Sequence, residues 1–173
     1  MKKLVFLVLS IFLLVVAAQN VKAQVSQAAS DNGTANATII TPITIAADQS
    51  LEFGTIAPST EASDIKVSTS GVRTLESGNA TLYTADAGQA GTFDIDGQPN
   101  HTYSIDLPDD GDVVLAGPGD NIPVNAFSSS PSNTGTLDGS GEQTISVGAT
   151  LKVGISQTAG SYTGSYTVTV NYN

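Results

Sequence analysis

After residue 23 the apolar positions of this chain fall mostly at every second residue. The clearest run is Ile145, Val147, Ala149, Leu151, Val153 and Ile155, with Ser146, Gly148, Thr150, Lys152 and Gly154 between them. Period two places one face of a strand in a core and leaves the other in water. A second run, Tyr162, Gly164, Tyr166, Val168, Val170 and Tyr172, alternates with Thr163, Ser165, Thr167, Thr169 and Asn171. The link Ser156-Gln157-Thr158-Ala159-Gly160 predicts that these two strands form a hairpin, a long antiparallel ribbon at the C-terminus.

Shorter strands are predicted upstream. Ala35, Ala37, Ile39, Thr41, Ile43 and Ile45 share one phase, and Pro42 points the other way. Proline has no N–H, so this strand belongs at an edge or changes partner there. Leu51–Ile56 follows, then Ile65–Val67 and Gly71–Leu75 as a hairpin pair, then Thr81–Tyr83, Thr92–Ile95, Thr102–Leu107, Val113–Leu115 and Val124–Phe127. Gly, Pro, Asn and Asp clusters separate them, as at Gly97-Gln98-Pro99-Asn100 and Gly117-Pro118-Gly119-Asp120. Ser128–Gly141 reads as a solvated loop. No helical period interrupts the series, so the predicted fold is all-β, an immunoglobulin-like antiparallel β-sandwich.

The first residues obey a different rule. Lys2 and Lys3 precede Leu4–Ala18, which is apolar except for Ser10. That run is shorter than the roughly 18–20 residues a spanning helix needs. Val21-Lys22-Ala23 then offers a cleavage site before Gln24. Residues 1–23 therefore read as a secretory signal peptide, and the chain as exported to the periplasm, the cell surface or the medium. Polar residues 24–34 read as a disordered leader. Residues 35–173 form the single predicted domain.

Cleavage changes the charge balance. The whole chain holds 16 acidic and 6 basic residues, a net charge of −10. Removing residues 1–23 leaves Lys66, Arg73 and Lys152 against all 16 acids, a net charge of −13. Too few cations remain to neutralise phosphates, so no nucleic-acid partner is expected. No second long apolar run follows the signal, so no direct membrane insertion is expected after cleavage. With no cysteine, disulfides, thiolate metal sites and cysteine nucleophiles are excluded.

Candidate chemistry is sparse. His101 lies in a turn entering a strand, with no Gly-x-Ser-x-Gly elbow or other nucleophile motif to serve, and reads as an exposed turn residue. Asp106, Asp109, Asp110, Asp112 and Asp120 form the densest carboxylate cluster. Calcium takes oxygen ligands from such loops, but this spacing does not match an EF-hand, and acidic turns are common on an acidic protein. No catalytic, cofactor or metal site is assigned, and the chain is expected not to be an enzyme.

The last strand carries a further pattern. Gly160 is fourteenth from the C-terminus, Tyr172 is penultimate, and the positions between alternate. This resembles the ending of bacterial chaperone–usher pilus subunits. In that family the final strand is gripped by a periplasmic chaperone, and the gap in the sandwich is later filled by a strand from the next subunit. The resemblance implies a pilin-like fold, a periplasmic chaperone and like subunits as partners, and an assembly strand comprising Gly160, Tyr162, Tyr166, Val168, Val170 and Tyr172. Ala37–Ile43, Leu51–Pro58, Val147–Leu151 and Tyr162–Tyr172 resemble the bacterial family called domain of unknown function 4402. The Leu-x-Phe-Gly segment at 51–54 is also similar to spore-coat-U-type proteins. Residues 24–34 offer only Val25, Ala28 and Ala29 as donor positions, so either Ala35–Ile45 doubles as donor or the fold is complete in itself. Two functions are expected from these readings. One is a pilus, fimbria or surface-coat subunit assembling by strand addition; the alternative is a self-contained module binding a glycan or protein.

Overall fold

The computed structural model describes residues 28–173. The signal-peptide reading and the start of the leader lie outside the described residues. Contacts divide the chain into two units, Met1–Thr38 and Ile39–Asn173. In the first, residues 28–38 are exposed and form no strand. The second is all-β, and among the described residues there is no helix.

Its twelve strands are β1 (Thr44–Gln49), β2 (Ile56–Ala57), β3 (Ser63–Val67), β4 (Arg73–Ser77), β5 (Thr81–Leu82), β6 (Gly91–Asp96), β7 (Thr102–Asp106), β8 (Val113–Leu115), β9 (Ile122–Ser130), β10 (Thr134–Thr136), β11 (Glu142–Val153) and β12 (Thr169–Tyr172). The organising strand is β11. Its Glu142–Val147 half pairs with β6 and its Ala149–Val153 half pairs with β3, along one edge. The other edge takes β9 over the middle of the strand. Adding β1 outside β6, β4 outside β3 and β8 outside β9 completes a seven-stranded antiparallel sheet. Gly148 sits where the β6 and β3 halves meet. A Cβ there would lie 2.7 Å from Ser68 Cα's neighbouring carbonyl carbon, so the close approach needs glycine.

The inward phase of β11 feeds two cores. Ile145 and Val147 join Ile95, Tyr103, Ile105 and Leu137 in one. Ala149, Leu151 and Val153 join Phe53, Ile65, Val67, Val113, Ile122 and Val124 in the other. The first core is covered by a regular second sheet, in the order β10-β7-β12. The second is covered mainly by irregular chain, with Leu51, Ile56, Leu82, Tyr162 and Tyr166 packed onto it and the two-residue β2–β5 ribbon within the cover. The result is an antiparallel sandwich with one ordered layer and a second that is ordered over only half its length.

A few polar side chains hold that irregular cover. Arg73 Nη1 donates to the Phe53 and Thr55 carbonyls at 2.7 and 3.2 Å, and Nη2 donates to the Tyr83 carbonyl at 2.6 Å. One guanidinium fork thus ties two crossing segments to β4. Ser63 is 1% exposed, and its hydroxyl accepts from the Asn79 and Ala80 amides at 3.2 and 3.1 Å. Below the other layer, Tyr103 is fully buried and donates to Gln143 Oε1 at 2.7 Å, while burial pushes its phenol up. The Lys152–Asp64 ion pair, at 2.8 Å, is half in water and adds little.

Three sequence expectations are corrected. The C-terminal ribbon does not form: β11 lies in the large sheet and β12 in the small one, paired with β7. Both edges of β11 are already occupied, so the last segment crosses to the opposite layer and buries its apolar phase from there. The strand ends at Val153, and Ile155 is 67% exposed. The predicted strand Ala35–Ile45 is coil until Thr44, and Ile39 is 96% exposed. Pairing begins two residues beyond Pro42, whose missing N–H interrupts a ladder. Finally, the expected loop 128–141 contains the end of β9 and all of β10. Ser128–Ser130 pair through their backbone with β11, which requires no apolar side chain. The β3–β4 hairpin forms as expected.

Replacing Arg73 by Met is expected to lower unfolding free energy by about 2–3 kcal/mol, as three charge-assisted bonds are lost, and Arg73→Lys to recover only part of it, by urea denaturation. A pH effect follows from the turn before β11. Asp138 accepts from the Glu142 and Ser140 amides at 3.0 and 2.8 Å, and these bonds hold its carboxyl below the ordinary 3.8. A depressed folded pKa contributes stability that is complete above 3.8 and is lost as pH falls through the lower folded value. The difference in melting temperature between wild type and Asp138→Ala should therefore be largest near neutral pH and shrink below 3.8.

Candidate functional site

A cleft of about 1090 Å³ opens where the second layer is irregular. Its floor is the inward face of β8, β9 and β11, with Val113, Leu115, Ile122, Val124, Leu151 and Val153. One wall is residues 47–56, held by Arg73. The other wall is residues 157–166.

Tyr162 anchors that second wall. Its hydroxyl donates to the Thr158 carbonyl at 2.8 Å and accepts from the Gly119 amide and Gln157 Nε2 at 3.1 and 3.0 Å. Gln157 also donates to the Asp120 carbonyl at 2.6 Å. Thr163 exchanges two backbone bonds with Ala116, at 2.8 and 2.9 Å, which fastens the wall to the end of β8. Gly160 turns the chain with a φ of 150° and lies under the Pro118 ring. Tyr166 closes the far end. Its ring meets Phe93 edge-on at 5.9 Å and Phe127 at 5.3 Å, and burial raises its phenol pKa. Within Ser161–Ser165, Thr163 alone makes backbone–backbone hydrogen bonds among the described residues. Gly164 lies against Val114 of β8, yet the backbone groups of Ser161, Tyr162, Gly164 and Ser165 make no backbone–backbone hydrogen bond among the described residues.

The expected assembly strand is therefore two pieces. Gly160, Tyr162 and Tyr166 belong to the wall of the cleft. Val170 and Tyr172 belong to β12, and Val168, 7% exposed, precedes it in the first core. The inward phase runs through both pieces, as the alternation predicted. The outer edge of β12 has no strand against it among the described residues.

Tyr172 does more than line a face. Its hydroxyl accepts from the Gln98 amide at 2.6 Å and donates to the Thr41 carbonyl at 2.9 Å. Gln98 Oε1 accepts from the Thr41 amide at 3.0 Å, so three segments meet in one small network. His101 packs edge-on against the same ring at 5.9 Å and places Nδ1 3.1 Å from the Pro99 carbonyl. It is exposed at the turn where the sequence put it. One carboxylate of the acidic loop braces the backbone. Asp110 accepts from the Ala126 amide at 2.6 Å, and Asn125 accepts from Gly111 at 3.2 Å, which braces the irregular step in β9 where Ala126 takes a positive φ of 51°. Among the described residues no three His, Asp or Glu side chains are grouped to hold a metal ion.

Sequence reasoning missed Arg73 and the Tyr172 network. Arg73 carried one signal, as one of only three cations beyond residue 23. The Tyr172 network carried none, because its partners are backbone groups. Tyr172→Phe keeps the ring but strands the Gln98 amide and the Thr41 carbonyl. It is expected to cost about 1–2 kcal/mol in a thermal melt and to speed proteolytic cleavage within residues 39–43.

A search of curated proteins and a search of solved structures returned no match. Residues 43–172, from the residue before β1 to the end of β12, match the family described as Domain of unknown function (DUF4402). That span covers both sheets and the cleft, and the chain belongs to this family.

Proposed function

We propose that the protein is a non-catalytic, exported structural subunit, of the pilus, fimbria or surface-coat kind, that takes an extended strand from a partner along its Ser161–Tyr172 edge. The observation that carries this reading is the unfilled second layer. An apolar cleft of about 1090 Å³ lies beside an extended wall whose backbone is mostly unpaired, and that wall leads directly into β12 with its open edge. A strand laid there would gain about 1 kcal/mol net for each backbone hydrogen bond and would also cover apolar floor. The apolar start of the chain at Leu4–Ala18 supports export, and like subunits with a periplasmic chaperone are the partners such an edge suits. A second reading, a self-contained module for a glycan or protein ligand, draws on the same cleft, whose size suits a ligand and whose lining includes Phe53, Phe93, Phe127, Tyr162 and Tyr166.

The test is Ser165→Arg. This exposed residue lines the cleft, so the change obstructs the groove with little effect on the fold. Wild type should be found on the cell surface in high-mass material released by shearing, and Ser165→Arg should be lost from that fraction with its melting temperature unchanged. Wild type recovered only as free monomer would overturn the assembly reading, and a melting-temperature rise on adding a glycan would then favour the second.

A further inference from the structure

The large sheet ends at β1, and β1 is an unusual edge. It pairs with β6 alone among the described residues, and all six of its residues are exposed. Its outer side has no strand against it among the described residues and so presents N–H and C=O groups for pairing. Edge strands are commonly protected by charge, proline or a bulge. The other outer strand on this side of β11, β4, carries Arg73 and Glu76. In β1 such protection is confined to one end, where Asp48 occupies an irregular step in the pairing with β6 and its carboxylate accepts from Thr92 Oγ1 at 2.9 Å. Thr44–Ala47 has none. No charged residue lies between Asp31 and Asp48, in a chain of net charge −10. Beside this stretch Ile39 is 96% exposed and Ile45 36%.

We infer that β1 is a self-association edge, pairing antiparallel with β1 of a second copy about a two-fold axis normal to the sheet. Such an axis keeps inward faces on one side, so paired residues must share a face. Centring it on Ala46 satisfies this. Ile45 and Ala47, which lie opposite Ile95 and Phe93 of β6 and so share their face, then meet each other across the axis, large against small. Thr44 meets Asp48. The occupant follows from charge. A basic partner would be drawn to the acidic turns rather than to an uncharged strand. Another acidic body is least repelled where charge is absent, and an identical strand supplies a matching pattern of donors and acceptors. This edge belongs to the sheet opposite β12, so the inference stands apart from strand addition at Ser161–Tyr172.

The absence of cysteine makes the test direct. Directly opposed residues of an antiparallel pair have Cα atoms about 4.5–5.5 Å apart, within the roughly 4.4–6.8 Å that a disulfide bridges. Purified Ala46→Cys should oxidise mainly to a covalent dimer on a non-reducing gel, while Thr74→Cys on β4 stays monomeric. Wild type should sediment as a dimer that tightens as salt is raised, because salt screens the like charges. Ala46→Lys, with two ammonium groups facing across the axis, should sediment as a monomer with an unchanged melting temperature. A wild-type monomer at all salt concentrations, or cross-linking of Ala46→Cys no greater than that of Thr74→Cys, would overturn the inference.

Discussion

A β-strand has two hydrogen-bonding edges and one face to bury, and in β11 all three are fully committed. One edge is divided between β6 and β3, the other holds β9, and the inward face is divided between two apolar cores. Much of the remaining architecture is consistent with that commitment. Residues after Val153 find no free edge beside them and cross to the second layer. There β12 reaches β7 with only four residues, so regular pairing covers the first core and leaves the second to loops. The cleft thus lies where the chain leaves β11 and has yet to become β12.

Loops make a good cover only when their backbone groups are satisfied, and this molecule satisfies them with few polar side chains. Arg73 answers three carbonyls, Ser63 two amides, and Tyr162 a carbonyl and an amide. No buried side-chain nitrogen or oxygen among the described residues is left without a partner. The acidic residues stay at the surface, many of them in turns. Three long stretches carry no charge, residues 32–47, 121–137 and 153–173, and they include most of β1 and all of β12, the strands at two open edges. Electrostatics therefore divides the surface into parts that keep other acidic bodies away and parts that tolerate their approach.

How much of this could be read from sequence depends on which atoms carry the information. The strand character of β11 was legible because five side chains at period two face apolar neighbours. The inward phase of Tyr162–Tyr172 was legible for the same reason. Its partner strand was not, because edges are made of backbone and every residue has the same backbone. Ser128–Ser130 shows this most plainly: three serines extend a central strand with no apolar signal at all. Within the expected loop, Leu137 is 1% exposed, a single core residue too isolated to register as a pattern. The cleft was invisible in the sequence because it arises from two segments failing to pair, and pairing was the property that could not be read.

The Tyr172 network joins Thr41, near the start of the folded unit, to β12, its last strand in chain order. A polypeptide emerging from its N-terminus presents Thr41 well before Tyr172. For the whole interval between, the Thr41 carbonyl lacks this partner, and β7 lacks β12. The folded unit thus closes only when β12 arrives: a chain holding the residues of β1 to β11 alone would lack the hydroxyl that fastens its beginning.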